Sequence, residues 1–188
     1  MRKTYLIALL TASILCSLQP RGSSAVQEKA GGTVPPASQN SVKVTIATGG
    51  GFYDPPKSQF KIGEDIPVVI SMTNTEDKPA RYCRSTSLLQ NRPVLKRDGR
   101  LIPHVPELIR VADQKDLIER CEKSAAQQFY ELQPKQTKVV DWFKLSLTGI
   151  VWYGPLPPGH YELVLMRRIG CCQGPLLESN KVTFEIVP

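Results

Sequence analysis

The sequence predicts an all-β chain, an antiparallel two-sheet sandwich with one short helical insert. Three observations carry that reading. Residues 156 to 188 alternate apolar and polar side chains at the two-residue period of a pleated strand, turn signals recur at short intervals along the chain, and a single segment breaks the rhythm with helical spacing.

The first forty residues belong to no sheet. Met1-Arg2-Lys3 is a basic start, Tyr5 to Leu18 is largely apolar, and Ser23-Ser24-Ala25 places small residues at the recognition positions for cleavage after Ala25, the pattern of a secretory signal peptide over residues 1–25. The apolar run falls short of the roughly 20 residues of a membrane span, and no later stretch approaches it. Cys16 follows Ser13-Ile14-Leu15, a poor match to a lipoprotein signal, so lipid anchoring is a secondary reading. Cleavage would remove Arg2, Lys3 and Arg21 and no acids, lowering the net charge from +7 to +4. The remaining basic residues are scattered, which argues against a nucleic-acid partner. Residues 26–40, rich in Gly, Pro, Ser and Gln, read as a flexible linker, and residues 41–188 as the folded domain.

Within that domain, Val42, Val44 and Ile46 alternate in a first strand that stops at Gly49-Gly50-Gly51. Those glycines are no phosphate loop: no Lys-Ser/Thr follows, and Pro55-Pro56 forbids the helix start such a loop needs. A short strand over residues 58 to 63 leads to Ile66, Val68, Ile70 and Met72 on one face of a core strand. A polar turn from Asn74 to Pro79 then gives a third strand at Arg81–Arg84. Asp98-Gly99, flanked by Val94–Arg97 and Arg100–Ile102, is a two-residue hairpin signal because both positions tolerate positive φ. Leu117, Ile118, Cys121 and Ala125 recur at helical spacing behind an Asp113 cap, predicting the insert at about 113–128. Phe129–Leu132 is again a strand, and Thr137 to Leu147 is the next, with Val139, Phe143 and Leu145 on one face and Trp142 on the other. Leu147 to Tyr153 is an aromatic loop or short strand. Last come two strands with Tyr161, Leu163 and Leu165, then Val182, Phe184 and Ile186, facing the core. A Pro-Gly turn just before Tyr161 suits a phenol that bonds back to the backbone at a sandwich corner.

Several of these segments carry a resemblance. Phe60-Lys61-Ile62-Gly63-Glu64, the run from Ile70 to Pro79, Leu132-Gln133-Pro134, the turn and strand from Leu156 to Leu165, and Glu178 to Phe184 together resemble secreted bacterial immunoglobulin-like domains. The layout is more distantly similar to the bacterial intracellular proteinase-inhibitor fold, with Lys135 where that family usually has Gly and with the helical insert added. The resemblance implies an immunoglobulin-like sandwich and a non-catalytic role, and it names no ligand.

Four cysteines remain after cleavage, Cys83, Cys121, Cys171 and Cys172, and an even count in an exported chain favours two disulfides. In a sandwich of this kind the strand of Cys83 lies antiparallel to the strand of residues 160 to 168. Cys83 therefore reaches Cys171 or Cys172. A bridge between neighbours would be strained, so the other member takes Cys121. The rival is a copper or zinc site built from these thiolates with His104; it lacks any Cys-x-x-Cys spacing. No cofactor is implied.

His104 and His160 read as surface histidines with no nucleophile motif, and Asp54, Asp65, Asp77, Glu107 and Glu131 as solvated carboxylates, so the chain is expected not to be an enzyme. Trp142 is expected between the sheets. Trp152 and Tyr153, beside Gly154-Pro155, are expected exposed on an end loop, where they would bind an unknown protein or cell-envelope partner. The expectation is thus a secreted or periplasmic binding module, with a proteinase inhibitor and a soft-metal-binding envelope protein as alternatives.

Overall fold

The computed structural model describes residues 41–49, 55–84, 87–123, 128–145, 152–172 and 174–188. The signal-peptide, lipid-anchor and linker readings, Gly50-Gly51 and the aromatic segment up to residue 151 lie outside them. In chain order the described elements are β1 (Val42–Thr48), β2 (Gln59–Lys61), β3 (Pro67–Asn74), β4 (Ala80–Arg84), α1 (Ser87–Gln90), β5 (Asn91–Arg97) and β6 (Arg100–Leu101). Then follow α2 (Pro106–Ala112), α3 (Lys115–Lys123), β7 (Gln128–Leu132), β8 (Thr137–Lys144), β9 (Gly159–Arg168), β10 (Leu176–Glu178) and β11 (Val182–Val187).

The fold is mostly β and mostly antiparallel. One sheet has the order β1-β3-β8, a second the order β2-β11-β9-β5-β6 with β10 on β9, and β4 pairs with β7 as a separate ribbon. Alternation puts Val44, Ile46, Val68, Ile70 and Met72 of the first sheet into one core with Leu95, Tyr161, Leu163, Leu165, Phe184 and Ile186 of the second. Each such burial is worth about 1.5–3 kcal/mol, which is what holds the layers together. The sheets are also stitched at an edge: Ile46 N donates to Asn180 Oδ1 and Asn180 Nδ2 donates to Ile46 O, so one side chain replaces a missing strand for β1.

The hairpin expected at Asp98-Gly99 is present, with φ of 49° and 79° at the two turn residues. So is the corner at Tyr161, whose phenol donates to Pro157 O. Gly159 between them is required: its φ is 154°, and a Cβ there would lie 2.7 Å from Arg97 Nε.

Other expectations are corrected. The helical insert starts earlier than Asp113, as α2 and α3, because Pro106 at the first helical turn pre-sets φ and opens a helix that spacing alone did not show. Asp113 ends α2 and pairs with Arg92, instead of starting a helix. The strand of Cys83 lies against β7, not β9; only Cys83 N reaches Ile169 O just past the end of β9. β2 runs parallel to β11, a departure from a fully antiparallel sandwich. A bulge in β8 lets Ile70 oppose Asp141 and Ser71 oppose Val139, so Val140 turns to the core and Val139 to the outer face.

The turn after β7 puts a lysine at a left-handed position. Lys135 has φ of 60°, in the left-handed region where a side chain costs roughly 1–2 kcal/mol. Its ammonium donates to Thr75 O at 2.7 Å and pairs with Asp77, which offsets part of that strain. Beside it, buried Asn74 donates to Lys78 O, Leu132 O and Gln133 O and accepts from Glu76 N, tying the end of β3 to the start of β4 and the end of β7. Asn74→Ala removes two amide protons shared among three carbonyls, the Leu132 carbonyl being the buried one, and should cost about 1–3 kcal/mol. Urea unfolding should show a lower midpoint at an unchanged slope; a loss of under about 0.5 kcal/mol would mean that water replaces the amide without penalty.

Candidate functional site

The four described cysteines and a buried charge pair gather at the end of the sandwich where β9 runs out, and they are spent on structure. Cys83 bridges Cys171 and Cys121 bridges Cys172, with Cα–Cα distances of 4.9 and 5.9 Å. The first ties the β4–β7 ribbon to the segment after β9, and the second ties α3 to the next residue along. A sulfur committed to a bridge has no thiolate to offer a soft metal. Among the described residues no group of three or more His, Cys, Asp or Glu side chains is placed to hold a metal ion.

Beneath these bridges lies a charged cluster inside the core. Arg167 is fully buried at the inward parity of Tyr161, Leu163 and Leu165, and its Nη1 donates to Asn91 Oδ1 and to Asp141 Oδ2 at 3.2 Å. Asn91 donates to the same carboxylate oxygen at 3.0 Å and to Ser87 Oγ. Nε and Nη2 of Arg167 find no acceptor among the described residues. Burial pulls the guanidinium below its ordinary pKa, and the Asp141 charge pulls it back up. The pair spans the two sheets, since Arg167 is on β9 and Asp141 on β8.

The two aromatic expectations are reversed. Trp152 is 1% exposed and Tyr153 0%, so neither is a display residue. Tyr153 donates to Pro93 O at 2.7 Å, and burial raises its phenol pKa well above the ordinary value. His104 is not a plain surface residue either: it is half-buried, donates from Nε2 to the same carbonyl, stacks on Tyr153 and meets Trp152 edge-on. Pro93 explains the convergence. At that point β5 has β9 on one side and, among the described residues, no strand on the other, so its carbonyl accepts from side chains instead. Trp142, expected in the core, is 42% exposed on the outer face of the β1-β3-β8 sheet.

His160 is exposed, as expected, 4.0 Å from Glu185 on the rim of a shallow depression of about 340 Å³ that also includes Asp98, Glu162 and Thr183. This hollow brings carboxylates and an imidazole near one another, with Ser58 and Thr183 as exposed hydroxyls on its lining. Asp65 pairs with Lys144, while Asp77, Glu107 and Glu131 are exposed; Asp54 lies outside the described residues. No described helix is long and apolar enough to cross a membrane.

The Arg167–Asp141 cluster was missed although its signal was in the alternation: Arg167 continues the parity of Leu163 and Leu165, and Asp141 that of Phe143 and Leu145. A charge at a core position asks for a partner at a core position.

No known protein family and no curated protein matches the chain. Among solved structures it is similar to a β-glucosidase from Erythrobacter marinus, with TM-score 0.37 and 12% identity over 78% of this chain and 15% of that one. It is similar also to a β-glucosidase from Listeria innocua, with TM-score 0.34 and 12% identity over 78% of this chain and 16% of that one. An alkylpurine DNA glycosylase from Pseudomonas fluorescens gives TM-score 0.34 and 10% identity over 79% of this chain and 31% of that one. The chain therefore spans only a small part of each, and likeness at this level bears on neither its activity nor its ligands.

Removing one member of a buried pair leaves an uncompensated charge, so Asp141→Ala should cost about 3–5 kcal/mol. Replacing both, as Arg167→Met with Asp141→Leu, should recover most of that loss. A double-mutant cycle by urea unfolding measures it; strictly additive losses would contradict a direct interaction.

Proposed function

We propose that the chain is an exported, non-catalytic immunoglobulin-like module that binds a cell-envelope component through the outer face of its β1-β3-β8 sheet. The observation that carries this is the exposed indole of Trp142 on a sheet face that no other described element covers. Export is supported by the signal-like N-terminus and by two disulfides, which persist in oxidising compartments. A non-catalytic role is supported by how the reactive groups are used: the described cysteines are bridged, His104 and Tyr153 are bonded to Pro93 O, and Arg167 and Asp141 to each other. Trp152 and Tyr153 are themselves buried, so neither side chain supplies the contact.

Sedimentation of the purified chain with envelope material from its own organism tests this. The chain should be retained, Trp142→Ala should weaken retention about tenfold, and Leu101→Ala, at an exposed apolar residue of the other sheet, should leave it unchanged. Retention that ignores Trp142, or turnover of a hydrolase substrate panel by the purified chain, would overturn the reading.

A further inference from the structure

Resting on that reading, we propose that the Trp142 face takes an uncharged glycan of β-1,4-linked pyranoses, one sugar ring stacked on the indole. In the register of the sheet Trp142 lies beside Val69, Ser71 lies one row further along with Thr45 beside it, and Thr73 faces Thr137 one row beyond. Rows on one face are about 7 Å apart, so hydroxyls stand about 7 and about 14 Å beyond the Trp142 row, past the bulge, with those of Thr73 and Thr137 bonded to each other at 2.8 Å. A pyranose offers an apolar C–H face and a rim of hydroxyls, and this face offers an aromatic plate followed by hydroxyls that donate and accept.

The competing occupants fit the face less well. A second copy or a folded protein needs about 800 Å² per partner, whereas a face of three strands of seven to eight residues measures about 25 by 14 Å, about 350 Å², and Val69 beside the indole is already half-buried. An added peptide strand along β8 would want the Trp142 N–H, which already donates to Asp141 Oδ1 at 2.9 Å, next to a bulge that breaks the ladder. A phosphate backbone would need several cations. Of the charges on these rows, Lys144 is paired with Asp65 and Lys43 stands at the far end. A neutral, flat, hydroxylated chain meets what is displayed, and linkage through equatorial positions keeps such a chain flat.

The test is co-sedimentation of the purified chain with insoluble cellulose, chitin and protein-free peptidoglycan sacculi, at physiological and at raised salt. Retention on at least one of them is expected, unaffected by salt, about tenfold weaker in Trp142→Ala and largely kept in Trp142→Tyr. The exposed position lets each variant be checked for an unchanged unfolding midpoint. Retention that survives Trp142→Ala, or that raised salt abolishes, would overturn the assignment. So would failure on all three glycans. If untreated envelope still retains the chain through Trp142 in that case, the glycan class falls and the binding module stands; if it does not, both fall.

Discussion

A guanidinium inside an apolar sandwich is tolerable only beside a carboxylate, and the pairing of Arg167 with Asp141 is the constraint on which the rest of this structure depends. Arg167 comes from β9 in one sheet and Asp141 from β8 in the other, so the two layers must meet with those residues opposed. Sliding either strand by one residue would turn its charge to the solvent face and leave the other alone in the core. The bulge in β8 reconciles the pair with the rest of that strand: past it Asp141, Phe143 and Leu145 point inward, before it Lys138 takes the inward parity and rests over the Tyr130 ring. Such a pair gives up desolvation energy in exchange for a unique alignment.

The same end of the molecule carries both disulfides. Cys171 and Cys172 are neighbours, yet their bridges run to two different elements: the β4–β7 ribbon, which adds Ala80, Tyr82 and Leu132 to the core, and α3. Covalent attachment to the segment after β9 adds to that packing for the ribbon and for α3, by about 2–4 kcal/mol per bridge. His104, Trp152 and Tyr153 do the corresponding work under α2, where Trp152 O accepts from Val105 N and the Pro93 carbonyl collects the two polar rings. With these groups consumed, Trp142 on the outer sheet face is left as the large aromatic available for contact beside exposed Phe129, which Arg81 already covers from one side.

Where local chemistry is decisive, the sequence was readable. Alternation located the core strands, Asp98-Gly99 located a hairpin, and the turn before Tyr161 located a corner whose hydrogen bond is present. The pairing of Cys83 and Cys121 with the two adjacent cysteines was also legible, because neighbouring residues bridge badly to each other. What failed depended on tertiary context. The order of strands put β4 on β7, which no periodicity encodes. Tyr153 is held by an acceptor sixty residues away at Pro93, and Trp152 packs on the His104 ring that bonds the same carbonyl, while a Gly-Pro neighbour gave the opposite hint. Trp142 is exposed because a strand residue is buried only if its face is, and the outer face of the β1-β3-β8 sheet is not.

Iodide quenching of tryptophan emission tests the central assignment, that Trp142 is displayed and Trp152 is packed. With Trp142→Phe the remaining emission should be blue-shifted and nearly insensitive to iodide, and the quenchable part of the wild-type signal should be gone. Strong quenching of that variant would place Trp152 at the surface and contradict the account.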